Sequence, residues 1–266
     1  MFKALLMDMD GILYHGDQVI PHAIDFIHQF RHYPLCFITN NPILPPAVIR
    51  DKLHRMGFHS LDNAQILTSA MATSLWLSQQ KSNYRFFAVG APGFIDILRE
   101  TGQEDHQHAD YVVIGEGAGL TYQTLTQGLN LILQQQATLV CTNPDITVDH
   151  VLNGQPHVLP GSGALVSPFE AASGEKAIYV GKPQPLLYQM ALEKLHCEAK
   201  DCLMIGDRPD TDILGAARLG IQTALVRSGR FSVGTTLPPE VPLPHYDVSN
   251  LQHLTHQLSR FTIDRR

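Results

Sequence analysis

Asp8 and Asp10 follow the apolar run Ala4-Leu5-Leu6-Met7 and precede Gly11. Residues two apart at a strand end point the same way, so both carboxylates can enter one pocket and divide labour. One, unprotonated beside a cation, can attack phosphorus; the other, kept partly protonated near a leaving oxygen, can act as a general acid. Read alone, the pair also fits a turn, because Asp-Gly is a strong turn signal. Thr39 supplies a hydroxyl, and the backbone amides of Asn40 and Asn41 suit phosphate oxygens at a helix start, although Thr and Asn serve equally as ordinary N-caps. Lys182 stands between Gly181 and Pro183, a rigid position for a point charge meant to neutralise phosphate. The segment Gly206-Asp207-Arg208-Pro209-Asp210-Thr211-Asp212 holds three carboxylates in seven residues. Acids so crowded repel one another unless a cation is present, and the spacing is not that of an EF-hand, so an octahedral Mg²⁺ site sharing Asp8 is expected. Each piece is weak by itself. Together they provide the parts of a magnesium-dependent phosphoryl-transfer site and predict an enzyme.

The elements that must position these groups read as buried strands. Apolar runs recur at 4–7, 35–38, 86–89, 111–114, 139–141, 178–180, 203–205 and 224–226, most of them ending at Gly or Asp and those at 35–38 and 139–141 running into Thr-Asn. Helix-length segments separate them: Ile49, Leu53 and Met56 keep helical spacing after Pro45-Pro46, with Gly57 as the stop. Alternating strand and helix predict an α/β fold. In such sheets ligands bind at the carboxyl ends of the strands, and all four motifs stand directly after a predicted strand. The interval between Thr39 and Lys182 contains strand-like runs of its own. It is read as an α/β cap over 81–178, inserted into a catalytic core of 1–80 and 179–266, which covers the site and excludes water.

Composition narrows the function classes. The chain of 266 residues is 44% hydrophobic and 17% charged, the profile of a globular protein, and its net charge of -6 argues against binding to nucleic acid or an anionic membrane. Asp8 and Asp10 interrupt the apolar start before a targeting segment can form, and no run approaches the ~18 apolar residues of a membrane span. Cys36, Cys141, Cys197 and Cys202 are widely spaced and form no CxxC pair, which fits buried thiols in a reducing cytoplasm. His106 and His108 lie among acids in what reads as a solvated loop rather than a metal site. Gly115-Glu116-Gly117-Ala118-Gly119-Leu120 follows a strand, but Leu120 replaces the third small residue of a dinucleotide fingerprint, and the segment reads as a glycine turn.

Asp8-Met9-Asp10-Gly11, Ile38-Thr39-Asn40-Asn41, Gly181-Lys182-Pro183 and Gly206-Asp207 through Asp212 resemble, in order, the four motifs of the haloacid dehalogenase superfamily of phosphatases. Leu13-Tyr14-His15-Gly16, Thr142-Asn143-Pro144-Asp145, Pro160-Gly161-Ser162-Gly163-Ala164-Leu165 and Asp207-Arg208-Pro209-Asp210-Thr211-Asp212-Ile213 are similar to its NagD-like group, subfamily IIA. The resemblance implies a Rossmann-like, doubly wound parallel-sheet core with a large inserted α/β cap, and hydrolysis of a small phosphate ester such as a nucleoside monophosphate or sugar phosphate. It assigns Asp8 as nucleophile and Mg²⁺ ligand. Asp10 becomes the acid and base, lending its carbonyl to the metal; Thr39, Asn40, Asn41 and Lys182 bind the phosphoryl group. Asp207 is the remaining metal ligand, Asp212 supports the metal shell, and Thr142, Asn143 and Asp145 are the cap residues expected to bear on specificity. A homodimer through the cap is a further implication. Two departures stand out: Pro42 replaces the group's usual serine, and Val148-Asp149 follow Asp145 in place of an aromatic or proline-rich segment. A phosphomutase on the same fold and a phospho-accepting receiver module are the rival readings; a receiver needs only a single unit of ~120 residues, so it leaves the insertion unexplained.

Overall fold

A computed structural model describes residues 2–152 and 155–263. The chain divides into two compact units: one holds the chain up to Ile38, Pro46–Leu67 and everything from Lys182, the other Thr39–Pro45 and Thr68–Gly181.

The first unit is built on a six-stranded sheet in the spatial order Tyr246–Val248, Gln222–Val226, Cys202–Gly206, Ala4–Met7, Leu35–Thr39, Ile66–Thr68. Ala4–Met7 pairs in parallel with Cys202–Gly206 on one side and Leu35–Thr39 on the other. From Ala4–Met7 the chain first winds outward through Leu35–Thr39 and later returns to place Cys202–Gly206 on the opposite flank. This is a topological switch point, where the crossovers part and leave a crevice at the strand ends. All three of these strands are buried along their whole length, which is why they read as continuous apolar runs rather than alternating ones. The helix Ala23–Phe30 turns Ala23, Phe26, Ile27 and Phe30 inward at i, i+3, i+4, i+7 spacing. Pro46–Arg55 forms the expected helix, burying Ile49 and Leu53, and Gly57 beyond it takes a left-handed φ of 101°.

The second unit carries its own five-stranded parallel sheet, ordered Ile178–Tyr179, Thr138–Cys141, Tyr111–Ile114, Arg85–Val89, Gln103–Glu104. Phe87, Val89, Val112, Ile114, Leu131, Ile132, Leu139 and Phe169 form its core. An antiparallel hairpin, Thr147–Leu152 with Gln155–Pro160, carries Val148 and Asp149.

The strand ahead of Lys182 is not a strand of the catalytic sheet: Ile178 pairs with Val140 and Tyr179 with Cys141, so it closes the edge of the second sheet. The second unit takes in Thr68–Gly181 together with the 39–45 segment. The helix Ser69–Gln80 goes with the second unit, where Ser74 Oγ donates to the Ile97 carbonyl at 3.1 Å and lies 2.7 Å from Thr101 Oγ1.

Candidate active site

The switch point sets Met7 beside Ile205, so Asp8 and, one residue past Gly206, Asp207 leave adjacent strands together. The Asp8 N–H extends the ladder by donating to the Ile205 carbonyl at 2.9 Å. Asp8 Oδ1 then accepts from the Met9 N–H at 2.8 Å and lies 3.1 Å from Lys182 Nζ. The lysine is 2% exposed and reaches two further acceptors, Asp212 Oδ1 at 2.8 Å and the Ile38 carbonyl at 3.3 Å. An ammonium has three N–H donors, and Asp8, Asp212 and the Ile38 carbonyl are among the acceptors that face it. Asp212 is itself held from behind: its Oδ2 accepts from the Arg208 N–H at 3.1 Å, and the Tyr188 hydroxyl donates to the Thr211 carbonyl at 2.7 Å, tying down the tight Pro209–Ile213 turn.

Asp207 is fixed through one oxygen only. Its Oδ2 accepts from the Arg230 N–H at 3.0 Å, whereas its buried Oδ1 has no hydrogen-bond partner among the described residues. Glycines make room for the carboxyl. A Cβ on Gly11, whose φ is 80°, would lie 2.4 Å from Asp207 Oδ2, and one on Gly229 would lie 1.8 Å from it. Among the described residues, Asp8, Asp207 and Asp212 form the one group able to offer a metal three oxygens within 4.8 Å of one another.

The electrostatics of this cluster lack positive charge. Three carboxylates against one ammonium leave an excess of two negative charges in a buried space. Burial raises the pKa of Asp8 against the opposing pull of Lys182. It raises that of Asp207 well above the carboxylate range, with Asp212 and Asp8 adding to the effect. Asp212 is pushed up to about 6, again mainly by burial. Burial works against the charge on Lys182, yet Asp212 and Asp8 hold its pKa above the ordinary value. A divalent cation supplies the missing charge and gives Asp207 Oδ1 a partner, and an all-oxygen donor set is what Mg²⁺ takes. The residues present therefore fit Mg²⁺.

Asp10 lies outside this buried group. Its side chain is 69% exposed, with Oδ1 3.7 Å from His15 Nδ1, and its charge is among the causes that raise Asp8.

The remaining predicted residues belong to the second unit. Thr39 Oγ1 accepts from the Asn41 N–H at 3.1 Å, and Asn41 Oδ1 accepts from the Ile43 N–H at 2.9 Å, which folds 39–43 into a tight loop. The Asn40 carbonyl accepts from Ser69 Oγ at 2.6 Å and from Asn143 Nδ2 at 2.8 Å, while Asn40 Nδ2 donates to Asp145 Oδ2 at 2.8 Å. Of the three cap residues, Thr142 and Asn143 are wholly buried: Thr142 Oγ1 sits 2.9 Å from Ser162 Oγ, so their polar groups serve the framework of this unit. Asp145 is half-buried. Glu116, read from the sequence only as part of a glycine turn, is a buried carboxyl bonded to Asn143. The available signal was its place just past an apolar strand, the pattern shared by Asp8 and Asp207.

Residues 5–104 match the family model for haloacid dehalogenase-like hydrolases, and residues 179–254 match a second model, HAD-hydrolase-like. The chain is 30% identical over 263 residues to an acid sugar phosphatase of Staphylococcus epidermidis, covering 97% of this chain and 99% of the relative. Among solved structures it is similar to NagD from E. coli K-12, with a TM-score of 0.83 and 26% identity over 94% of this chain and 97% of that one. It is similar also to a 4-nitrophenylphosphatase from Thermotoga maritima, with a TM-score of 0.83 and 26% identity over 96% and 97% of the two chains.

Proposed function

Because the chain belongs to the haloacid dehalogenase-like hydrolases, as a NagD-like phosphatase of subfamily IIA, we propose that it hydrolyses a small phosphomonoester, a sugar phosphate foremost, through a phosphorylated Asp8 and with Mg²⁺. The observation that carries the reading is the buried set of Asp8, Lys182, Asp212 and Asp207 with its excess negative charge and its unpartnered oxygen. The preference for a sugar phosphate over a nucleoside monophosphate rests on the acid sugar phosphatase relative.

Asp8, Asp207 and the Asp10 carbonyl would hold the Mg²⁺, with Asp212 behind them. When bound, the ion offsets phosphate charge and keeps the Asp8 carboxylate ionised. Lys182 and the Met9 N–H fix the orientation of Asp8 through its Oδ1. A carboxylate oxygen of Asp8 attacks phosphorus, the bond from phosphorus to the ester oxygen breaks, and the leaving alkoxide takes the Asp10 proton. Asp10, now ionised, removes a proton from water as that water attacks the phosphorus of the acyl phosphate, releasing inorganic phosphate and restoring both aspartates. Thr39, Asn40, Asn41 and Lys182 are the proposed ligands of the phosphoryl oxygens.

The test is continuous release of p-nitrophenol from p-nitrophenyl phosphate, with and without Mg²⁺, by the wild type and Asp8→Asn, followed by a screen of sugar phosphates and nucleotides. Sustained turnover that needs Mg²⁺ and vanishes in Asp8→Asn is expected, since an amide is a poor nucleophile. Near-normal turnover in that variant would sink the mechanism, and labelling that stops after one equivalent would point to a receiver.

A further inference from the structure

The second unit contains a buried carboxyl that the chemistry above does not use. Glu116 lies two residues past the strand Tyr111–Ile114 and is 4% exposed. Its backbone is anchored, its carbonyl accepting from the Ala91 N–H at 2.7 Å. Its side chain accepts from Asn143 Nδ2 at 3.2 Å. Burying a carboxyl without a cation beside it costs stability, so the contact it makes must be asked what it sets.

Asn143 is the junction. Its amide nitrogen has two hydrogens and four acceptors in reach: the Asn40 carbonyl at 2.8 Å, Ser162 Oγ at 3.0 Å, Glu116 Oε1 at 3.2 Å and Thr142 Oγ1 at 3.4 Å. Ser162 and Thr142 already pair with each other at 2.9 Å. The amide oxygen faces the opposite way and accepts from the Asp145 N–H at 3.0 Å. Since a carbonyl can only accept, the end of the amide facing Asn40 must be nitrogen, which settles the orientation of the group. One hydrogen goes to Asn40, and a carboxyl is the strongest of the remaining acceptors for the other. The Asn40 carbonyl in turn belongs to the peptide whose N–H, that of Asn41, bonds Thr39 Oγ1. Both ends of one peptide plane in the 39–43 loop are thus pinned, the carbonyl end from two sides, by Ser69 Oγ at 2.6 Å and by Asn143 Nδ2 at 2.8 Å.

We propose that Glu116 is a positioning residue which, by holding the Asn143 amide, sets the Asn40 peptide and so the conformation of the 39–43 loop. Its consequence for catalysis rests on the proposed function, in which that loop binds phosphoryl oxygens; its consequence for the loop does not.

The experiment is amide hydrogen exchange in the full-length, metal-free protein, read at Asn41 and Ile43 and, for reference, in the strands Arg85–Val89 and Tyr111–Ile114. Glu116→Ala should speed exchange at Asn41 and Ile43 by about fivefold, the factor carried by one net hydrogen bond, and leave the strands unchanged. Glu116→Met, which fills the space without an acceptor, should do the same and replaces the alanine variant if that one does not fold. Glu116→Gln keeps an acceptor oxygen and should stay within about twofold of wild type, a difference below that of one such bond. Glu116→Ala combined with Asn143→Ala should exceed Asn143→Ala alone by no more than that margin, because the two residues act in series. Unchanged exchange at Asn41 and Ile43, additive effects in the pair, or acceleration spread evenly over the sheet would overturn the proposal. Wild-type turnover of p-nitrophenyl phosphate, assayed separately, decides the function it rests on.

Discussion

Lys182 Nζ lies closer to Asp212 Oδ1, at 2.8 Å, than to Asp8 Oδ1, at 3.1 Å. The lysine is therefore as much a structural counter-ion for the buried turn at Asp212 as a partner of the proposed nucleophile. Lys182→Met would leave the three buried carboxyls of Asp8, Asp207 and Asp212 facing one another without the ammonium. Removing one partner of a buried ion pair typically costs about 3–5 kcal/mol, and loss of a preorganised charge at a reacting group about 10²-fold or more in turnover. Guanidinium unfolding without Mg²⁺, together with p-nitrophenyl phosphate turnover, checks both. Wild-type stability in this variant would mean that the lysine is not the counter-ion described.

The raised carboxyls give the metal-free protein a definite pH dependence. Burial lifts Asp212 from 3.8 to about 6, so the folded state holds its proton more tightly than the unfolded chain does. The stability contributed by that proton is fully present below about pH 4 and is lost as pH rises through about 6. Asp8 and Asp207 are shifted in the same direction. Mg²⁺ competes with these protons, so the rise in melting temperature that it produces should be smallest near pH 4 and grow across that window. Differential scanning fluorimetry with and without Mg²⁺ at several pH values measures it. A metal-induced rise that does not change with pH would contradict the assignment of these acids to the ion.

Asp8, Lys182 and Asp207 were legible as candidates in the sequence because each is a charged residue set just behind an apolar run, a pattern that places it at a strand end whatever the partners are, and Asp212 through the crowding of three acids into 206–212. The partners themselves were not legible. Ile178–Tyr179 spans two residues, and nothing local tells such a short strand to pair with Val140 and Cys141 instead of joining the catalytic sheet. The helix Ser69–Gln80 likewise goes to the second unit through contacts such as Ser74 with Thr101, which its own periodicity does not encode. Glu116 was hidden among Gly115, Gly117 and Gly119, whose turn signal outweighed a single acid. Asn143 was legible only as a cap residue expected to bear on specificity; its bond to Asn40 joins positions 103 residues apart and can be seen only once the chain has folded.

Asp10→Asn should separate leaving groups. With its side chain 69% exposed beside His15, Asp10 stands outside the buried charge cluster of Asp8, as its proposed role of proton donor and acceptor requires. Removing a general acid costs about 10²–10⁴-fold when the leaving oxygen is a poor one. A sugar phosphate should lose activity on that scale, whereas p-nitrophenyl phosphate, whose phenolate leaves without protonation, should lose far less. Comparing kcat for the two substrates in the variant provides the test, and equal losses would argue against the acid role.

Gly229→Ala offers a way to disturb the proposed metal ligand without touching a charged residue. The new Cβ would stand 1.8 Å from Asp207 Oδ2 and 2.5 Å from Asp207 Cγ, so the carboxyl must turn away from the Arg230 N–H that now orients it at 3.0 Å. A side chain can yield more cheaply than backbone, and the fold should survive. The Mg²⁺ concentration for half-maximal activity should rise by about 10–100-fold, as when the support of a metal ligand is lost. Gly174→Ala is the matched control. Its φ of 78° makes alanine strained at the C-cap of Ser162–Ser173, at a cost of about 1 kcal/mol, but nothing lies within 4 Å of the added carbon. That variant should lose stability and keep its Mg²⁺ dependence. If both glycine variants weaken the Mg²⁺ response alike, the effect is general destabilisation, and the crowding of Asp207 by residue 229 does not set metal affinity.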